Sequence, residues 1–290
     1  MEESMKKVFG SLVAVLFLGL AFGQVDKTGW PEAFVFATVP VETTEDATAK
    51  MKPLVDYLSE RLGIPVTFRN GADYAAVTIA MQSEQVDMGW FGPGSYLDAH
   101  DQAGAEAIVK ENSLTAGDGY FSVIIAKKGS GLESIEDLQG LEFAFVDPGS
   151  TSGFRVPMYS FCTQLGIEPK DYFKRTYFAG THENVILGVM NGSIQVGATY
   201  DLGIVNAVNK GQVKEDDFDI IFTSDKIPAS PMAIRGALPE SLKQEVQKAL
   251  VEFDDKEFLE GLGFSGFLET NHEEYELFRE INKYKEVNCL

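Results

Sequence analysis

Alternating strand and helix signals predict an α/β fold for this chain, arranged as two units joined by two extended crossings. Three observations lead there. Residues 34–91 read β-α-β-α-β, the pattern repeats with different content over residues 121–222, and 290 residues with 44% hydrophobic content suffice for one large or two modest cores. Such runs imply mostly parallel sheets with helices on both faces. Periodicity alone also fits one larger doubly wound domain.

The first strand is Phe34–Thr38, followed by a turn over Pro40–Thr44 and a helix ending near Leu62, with Gly63 as its stop. Pro53 inside that helix predicts a kink or a restart. Val66–Phe68 is the second strand, Tyr74–Ser83 the second helix and Val86–Phe91 the third strand. Phe121–Ala126 reads as a strand running into Lys127–Gly131, a polar, glycine-rich crossing. A helix starts at Ile135–Leu138, Glu142–Val146 is a strand, and Thr151–Leu165 is a helix. Strands Tyr177–Phe178 and Val196–Thr199 flank the helix Glu183–Asn191, and Ile220–Phe222 is a further strand. The chain then passes Pro228, Pro231 and Pro239 into C-terminal helices. The expected division is residues 24–126 plus 228–290 for one unit and 127–227 for the other.

Charge narrows the function classes. A formal net charge of -20 argues against nucleic acid, whose phosphates are met by cationic faces. An anion site in so acidic a protein has to work through local, directed donors, because the overall field opposes it. No stretch inside the chain approaches the roughly 18 apolar residues of a membrane span. At the N-terminus, Lys6 and Lys7 precede an apolar run from Val8 to Phe22 that closes on Ala21, Phe22 and Gly23. This is the pattern of a secretory signal peptide over residues 1–23, cleaved after Gly23, which places the mature chain in the periplasm or outside the cytoplasm. An uncleaved anchor is the alternative, for which the run is short. Cys162 reads as a buried structural thiol; Cys289 sits in the C-terminal tail, and nothing supports a disulfide between them.

The most informative segment is Phe143–Phe154, which contains Asp147–Gly153 (DPGSTSG). A strand ends, a Pro-Gly turn follows, and Ser150, Thr151 and Ser152 open a helix. A helix start leaves about four backbone N–H groups unpaired and carries roughly half a positive charge. Three hydroxyls there suit a tetrahedral oxyanion, whose oxygens accept bonds from converging directions; one hydroxyl would suffice for ordinary capping. The segment is not a P-loop, which needs a Lys beside the hydroxyl. It is not a nucleophile elbow either, because Thr151 stands where that motif requires Ser.

His182 lies directly after a strand and at a helix start, at the sheet edge where ligands bind in open α/β folds. His100 and His272 read as solvated surface. Three scattered histidines without spaced acidic partners predict no metal site, and no cofactor is expected. Tyr74 and Tyr120 each stand at an element junction, where a half-buried packing role is the local reading. The acidic run Glu269–Glu286 reads as a solvated helix face.

These segments together resemble the periplasmic phosphate/phosphite/phosphonate-binding proteins of ABC transporters. The resemblance runs from about Phe34 to about Leu268. It is carried by Asp73 and Tyr74, Val86–Gly92 (VDMGWFG), Gly119–Val123 (GYFSV), Asp147–Gly153, Gly180–His182 (GTH), Ile227 with Pro228, and Leu262–Phe264. It implies the two-lobe, type II-like periplasmic-binding-protein fold. It also implies that Ser150, Thr151 and Ser152 bind phosphorus oxygens, that His182 donates to them, and that Tyr74 and Tyr120 line the pocket. One departure concerns the position after Ile227 and Pro228, where many members carry a carboxylate that accepts a ligand proton or holds a ligand amine. This chain has Ser230 there, which puts acceptance of an aminoalkyl phosphonate in doubt unless Asp201 substitutes; Asp201 equally fits a helix cap.

The expected function is therefore capture of a small phosphorus oxyanion (phosphite, phosphate or an alkylphosphonate) by a monomeric receptor that docks on an ABC permease and ATPase. A sensory binding protein for a receptor kinase has the same binding chemistry. An exported hydrolase using Ser150 or Thr151 with His182 would need a third group orienting the histidine, and the sequence supplies none clearly.

Overall fold

The computed structural model describes residues 25–42 and 44–285, so the expected signal peptide and Cys289 lie outside the described residues. In chain order the first unit contributes β1 (Phe34–Thr38), α1 (Thr44–Leu62), β2 (Val66–Asn70), α2 (Tyr74–Gln82), β3 (Met88–Trp90), α3 (Pro93–Ala103) and β4 (Ala105–Ser113). After β5 (Gly119–Tyr120) come β6 (Ser122–Lys127), β7 (Glu142–Phe145) and a helix over 151–164. That helix has α4 (Val156–Tyr159) at its centre and wider π-helical turns, Thr151–Arg155 and Ser160–Gln164, on either side. Next are α5 (Pro169–Tyr172), β8 (Arg175–Phe178), α6 (His182–Asn191), β9 (Val196–Tyr200), α7 (Asp201–Asn209) and β10 (Phe218–Thr223). The chain returns through β11 (Ile227–Pro228) to β12 (Pro231–Arg235), α8 (Glu240–Val251), α9 (Lys256–Gly261), β13 (Phe264–Glu269), α10 (Glu273–Glu276) and α11 (Arg279–Asn282).

Among the described residues these strands form a six-stranded sheet, β13-β4-β12-β3-β1-β2, a five-stranded sheet, β10-β6-β9-β7-β8, and a two-stranded ribbon, β11-β5. Both large sheets are mixed, which corrects the mostly parallel expectation. Strands β1, β2 and β3 run parallel, as do β7, β8 and β9, but β12, β13, β6 and β10 pair antiparallel with their neighbours. The cause is the crossing itself. Strand β4 heads out of the first sheet and β12 returns to it, so β12 runs against both of its neighbours. The boundary expected after Ala126 is also displaced. It falls inside β6, which pairs along Ser122–Ala126 with β9 and belongs wholly to the five-stranded sheet. The outward crossing is β5, paired antiparallel with the returning β11 in a register that sets Tyr120 opposite Ile227 and Gly119 opposite Pro228. Lys127–Gly131 is the turn that follows β6, not a crossing.

Helix α1 runs through Pro53 without a restart. Met51, Leu54, Leu58 and Leu62 are buried along one face, and that packing holds the helix across the missing N–H donor. In the second unit, rings fasten the 151–164 helix to β7. Phe154 packs against Phe145 at 5.1 Å, and Phe161 against Phe143 at 5.5 Å. This fixes where the first turn of that helix, with its hydroxyls, points. Cys162 is only half-buried beside this cluster, not fully buried as expected.

The C-terminal acidic run is two-sided rather than simply solvated. Glu273, Glu276 and Glu280 are exposed, while Tyr275, Phe278 and Asn282 are buried. Asn282 reaches Arg155 of the second unit, and the Arg155 Nη2 donates to Asp98 on α3 at 2.5 Å. His100 and His272, read as solvated, are half-buried and stacked at 3.7 Å. Arg155 is 2% exposed, so its partners matter. Removing one partner of a buried ion pair leaves an uncompensated charge. Asp98→Ala is expected to lower stability by roughly 3–5 kcal/mol in chemical denaturation, whereas Lys52→Ala, at an exposed ion pair with Asp56, is expected to cost under about 1 kcal/mol.

Candidate functional site

A cavity of about 130 Å³ opens between the two large sheets, and Tyr74, Tyr120, Ser150, Thr151, Ser152, His182 and Ser230 all line it. The two units supply them from element ends. Tyr74 is the first residue of α2, whose N-terminus Asp73 caps by accepting the Ala76 N–H at 2.7 Å. His182 is the first residue of α6, capped by Thr181. Tyr120 lies on the outward crossing, and Ser230 follows the returning one.

The hydroxyl triad is buried, with Ser150, Thr151 and Ser152 exposed by 1%, 1% and 3%. Ser150 is the N-cap: its Oγ accepts the Gly153 N–H at 3.0 Å. Thr151 Oγ1 accepts the Gly94 N–H at 3.0 Å, a bond between the two units. A Cβ on Gly92 would fall 2.6 Å from that same Thr151 oxygen, so glycine permits the close approach. Among the described residues, the backbone N–H groups of Thr151 and Ser152 have no protein acceptor. They point a partial positive charge into the cavity. The Tyr74 phenol interacts with Ser150, and that of Tyr120 with Thr151 and Ser152. Burial pushes both phenols above their ordinary range, so both remain protonated donors.

His182 bridges two hydroxyls, with Nε2 3.2 Å from Ser150 Oγ and Nδ1 3.0 Å from Thr199 Oγ1. Burial pushes its pKa down from 6.5 to about 3, so at neutral pH one ring nitrogen donates and the other accepts. The group orienting His182 is a threonine hydroxyl where a hydrolytic triad has a carboxylate, and Ser150 Oγ is committed to a helix cap.

Position 230 carries no carboxylate, and the one at 201 stands away from the cavity. Asp201 does not line the cavity, and its Oδ1 accepts the Phe121 N–H at 3.0 Å, joining α7 to the crossing. Beside Ser230 the cavity wall carries a buried acid, Glu111 on β4, which the sequence reading passed over. Its Oε1 accepts the Ser230 N–H at 3.2 Å and its Oε2 accepts the Trp90 Nε1–H at 3.1 Å. Burial, only partly offset by these bonds, pushes its pKa up from 4.5 to about 7. Sequence offered little signal, because Glu111 stands between two other polar residues, Lys110 and Asn112.

Four further charged groups at the cavity were also missed. Lys210 Nζ meets Glu42 at 2.6 Å and Glu183 at 3.3 Å, and Lys50 Nζ lies 3.6 Å from Glu42. Glu42 and Lys50 come from the first unit, Glu183 and Lys210 from the second. Their charges are matched within the cluster, which therefore adds no net charge to the cavity.

Two mixed sheets that enclose a donor-lined cavity and are joined by paired crossing strands define a two-lobed solute-binding protein. A binding-protein component of an ABC phosphonate transporter from Pseudomonas aeruginosa has the same fold, with a TM-score of 0.82 and 26% identity over 87% of this chain and 86% of that one. The family described as ABC transporter, phosphonate, periplasmic substrate-binding protein matches residues 36–275, and the chain belongs to it. Curated relatives include the phosphonates-binding periplasmic protein of Escherichia coli K12, 28% identical over 88% of this chain and 78% of that protein. The phosphate-import protein PhnD of Mycolicibacterium smegmatis is 28% identical over 88% and 86% respectively. No helix of the described residues is long and apolar enough to cross a membrane.

The two shifted groups act on stability in opposite directions. His182 is depressed, from 6.5 to about 3, so the unfolded chain binds the extra proton and stability falls as pH drops through that interval. Glu111 is raised, from 4.5 to about 7, so the folded chain binds the extra proton and stability falls as pH rises through that interval. Relative to wild type, Glu111→Gln is expected to gain a few kcal/mol between about pH 5 and pH 8, and His182→Gln between about pH 7 and pH 4. Urea denaturation of the ligand-free protein at those pH values measures both.

Proposed function

We propose that this chain is an exported receptor that closes around a small phosphorus oxyanion and delivers it to an ABC permease and ATPase. One observation carries this reading: the buried start of the 151–164 helix turns two unaccepted N–H groups and three hydroxyls toward a cavity that two tyrosines and a neutral histidine share. A tetrahedral oxyanion supplies the acceptors that this cluster lacks. Ser150 and His182 would exchange their mutual hydrogen bond for bonds to ligand oxygens, with Tyr74 and Tyr120 closing the opposite side. Ser230, which follows the returning crossing, lies beside Glu111. The names of the relatives, one phosphonates-binding and one phosphate-importing, support the phosphorus assignment.

Division of the chain at the β5–β11 ribbon, with residues 119–121 and 224–230 as the hinge, gives two lobes able to close on the ligand. The Gly94–Thr151 bond and the Lys210–Glu42 pair span the cleft, which supports reading the arrangement as closed. The apolar run ahead of the described residues, with its basic flank, fits export by a cleaved signal peptide.

Calorimetric titration of ligand-stripped protein with phosphite, phosphate, methylphosphonate and 2-aminoethylphosphonate tests the reading. At least one is expected to bind, and Ser150→Ala or His182→Ala is expected to weaken it by about tenfold or more, since a hydrogen bond to a charged group contributes about 1.5–3 kcal/mol. Absence of both heat and thermal stabilisation with all four would overturn it.

A further inference from the structure

We propose that Glu111 shares one proton with the bound oxyanion, so that the receptor takes its phosphorus ligand with a hydrogen held between the Glu111 carboxylate and a P–O oxygen. This rests on the function proposed above and adds a specificity-determining residue to it.

The placement of Glu111 is unusual for an acid. It is 6% exposed, on an interior strand, and it lines the same cavity as the hydroxyl triad. Its two oxygens each accept one N–H, from Ser230 and from Trp90, which fixes the carboxyl group and leaves lone pairs for a further donor. Among the described residues no Lys, Arg or His pairs with it. Trp90 on β3 and Ser230 beside β12 contact it, and the titratable groups that act on it through space are Tyr120 on β5, Tyr200 on β9, Asp201 on α7 and Tyr275 on α10. The three tyrosines are held in the neutral form by burial, and Asp201 is acidic. Lys110, the neighbour in sequence, pairs with Glu274 and Asp118 instead. Two N–H donors hold Glu111, but among the described residues no cation pairs with it.

A fully deprotonated oxyanion entering this cavity would set like charges together away from water, which disfavours their joint ionisation. A single proton removes the conflict. Carried by the ligand as P–OH, it donates to the carboxylate; carried by Glu111, it donates to a ligand oxygen. Both forms have the same composition, so the complex is defined by its proton count. Supplying that proton is easy near neutrality, because burial has moved Glu111 to about 7 and the second ionisation of a phosphate group lies near pH 6.

The test is titration with methylphosphonate across about pH 6 to 9.5, in pairs of buffers that differ in ionisation enthalpy, which counts protons taken up. Wild type is expected to take up close to one proton per ligand above about pH 8, with affinity falling toward tenfold per pH unit. Glu111→Gln, checked for folding by its thermal transition, is expected to bind the dianion without proton uptake and to lose that alkaline decline. Wild-type binding with no proton uptake above about pH 8 overturns the proposal while leaving the oxyanion receptor intact. Persistence of the alkaline decline in Glu111→Gln also overturns it. So does a selective loss of 2-aminoethylphosphonate with the methylphosphonate profile unchanged, which would make Glu111 an amine partner. If wild type binds no phosphorus oxyanion at any pH, the function fails and this inference falls with it. The proton count in wild type decides the matter even if the variant does not fold.

Discussion

The start of the 151–164 helix is the constraint on which the rest of this structure depends. Backbone N–H groups that are buried without acceptors are costly, of order 1–3 kcal/mol each, and few folds leave them so by accident. Here they are gathered at one point, faced by two tyrosine hydroxyls and a histidine kept neutral by burial. A protein with a net charge of -20 cannot attract an anion by its overall field. It can hold one through fixed dipoles in a dry cavity, where hydrogen bonds to a charged acceptor are strongest.

Several otherwise unrelated features serve that arrangement. Phenylalanines from β7 pin the helix so that its first turn faces the cleft. Gly92 lets the first unit approach Thr151, and the bond from Gly94 then engages the threonine hydroxyl. Arg155, one turn further along the same helix, is tied to Asp98 and Asn282 of the other unit. The helix therefore both presents the donors and carries the contacts that hold the units together. In the proposed receptor, ligand binding and lobe closure would be coupled through this one element, the physical requirement for a closed form that signals occupancy.

Much of this was legible in the sequence because it is local. Strand–helix alternation follows from short-range periodicity, and the DPGSTSG turn into a helix shows hydroxyls at a helix start. All seven expected residues line one cavity. What sequence could not show depends on long-range pairing. Strand β4 becomes interior only because β12 and β13, more than a hundred residues later, pair on its two sides. Until then Glu111 stands between two other polar residues, Lys110 and Asn112, and stays hidden. Asp201 was the local candidate for an acid in the cleft, but its oxygen is taken by the N–H of Phe121, eighty positions earlier. The crossing was misplaced for a similar reason. Lys127–Gly131 has the composition of a linker, whereas Gly119 and Tyr120 become a paired crossing only through Ile227 and Pro228.

A crystal structure of the protein with methylphosphonate tests the central claim most directly. The account predicts the phosphorus between the two units, with its oxygens accepting bonds from the Ser150, Thr151 and Ser152 hydroxyls and the N–H groups of Thr151 and Ser152, and with one oxygen directed at Glu111. An anion seated instead on Lys50 and Lys210, with the start of the 151–164 helix left without a ligand acceptor, would contradict it.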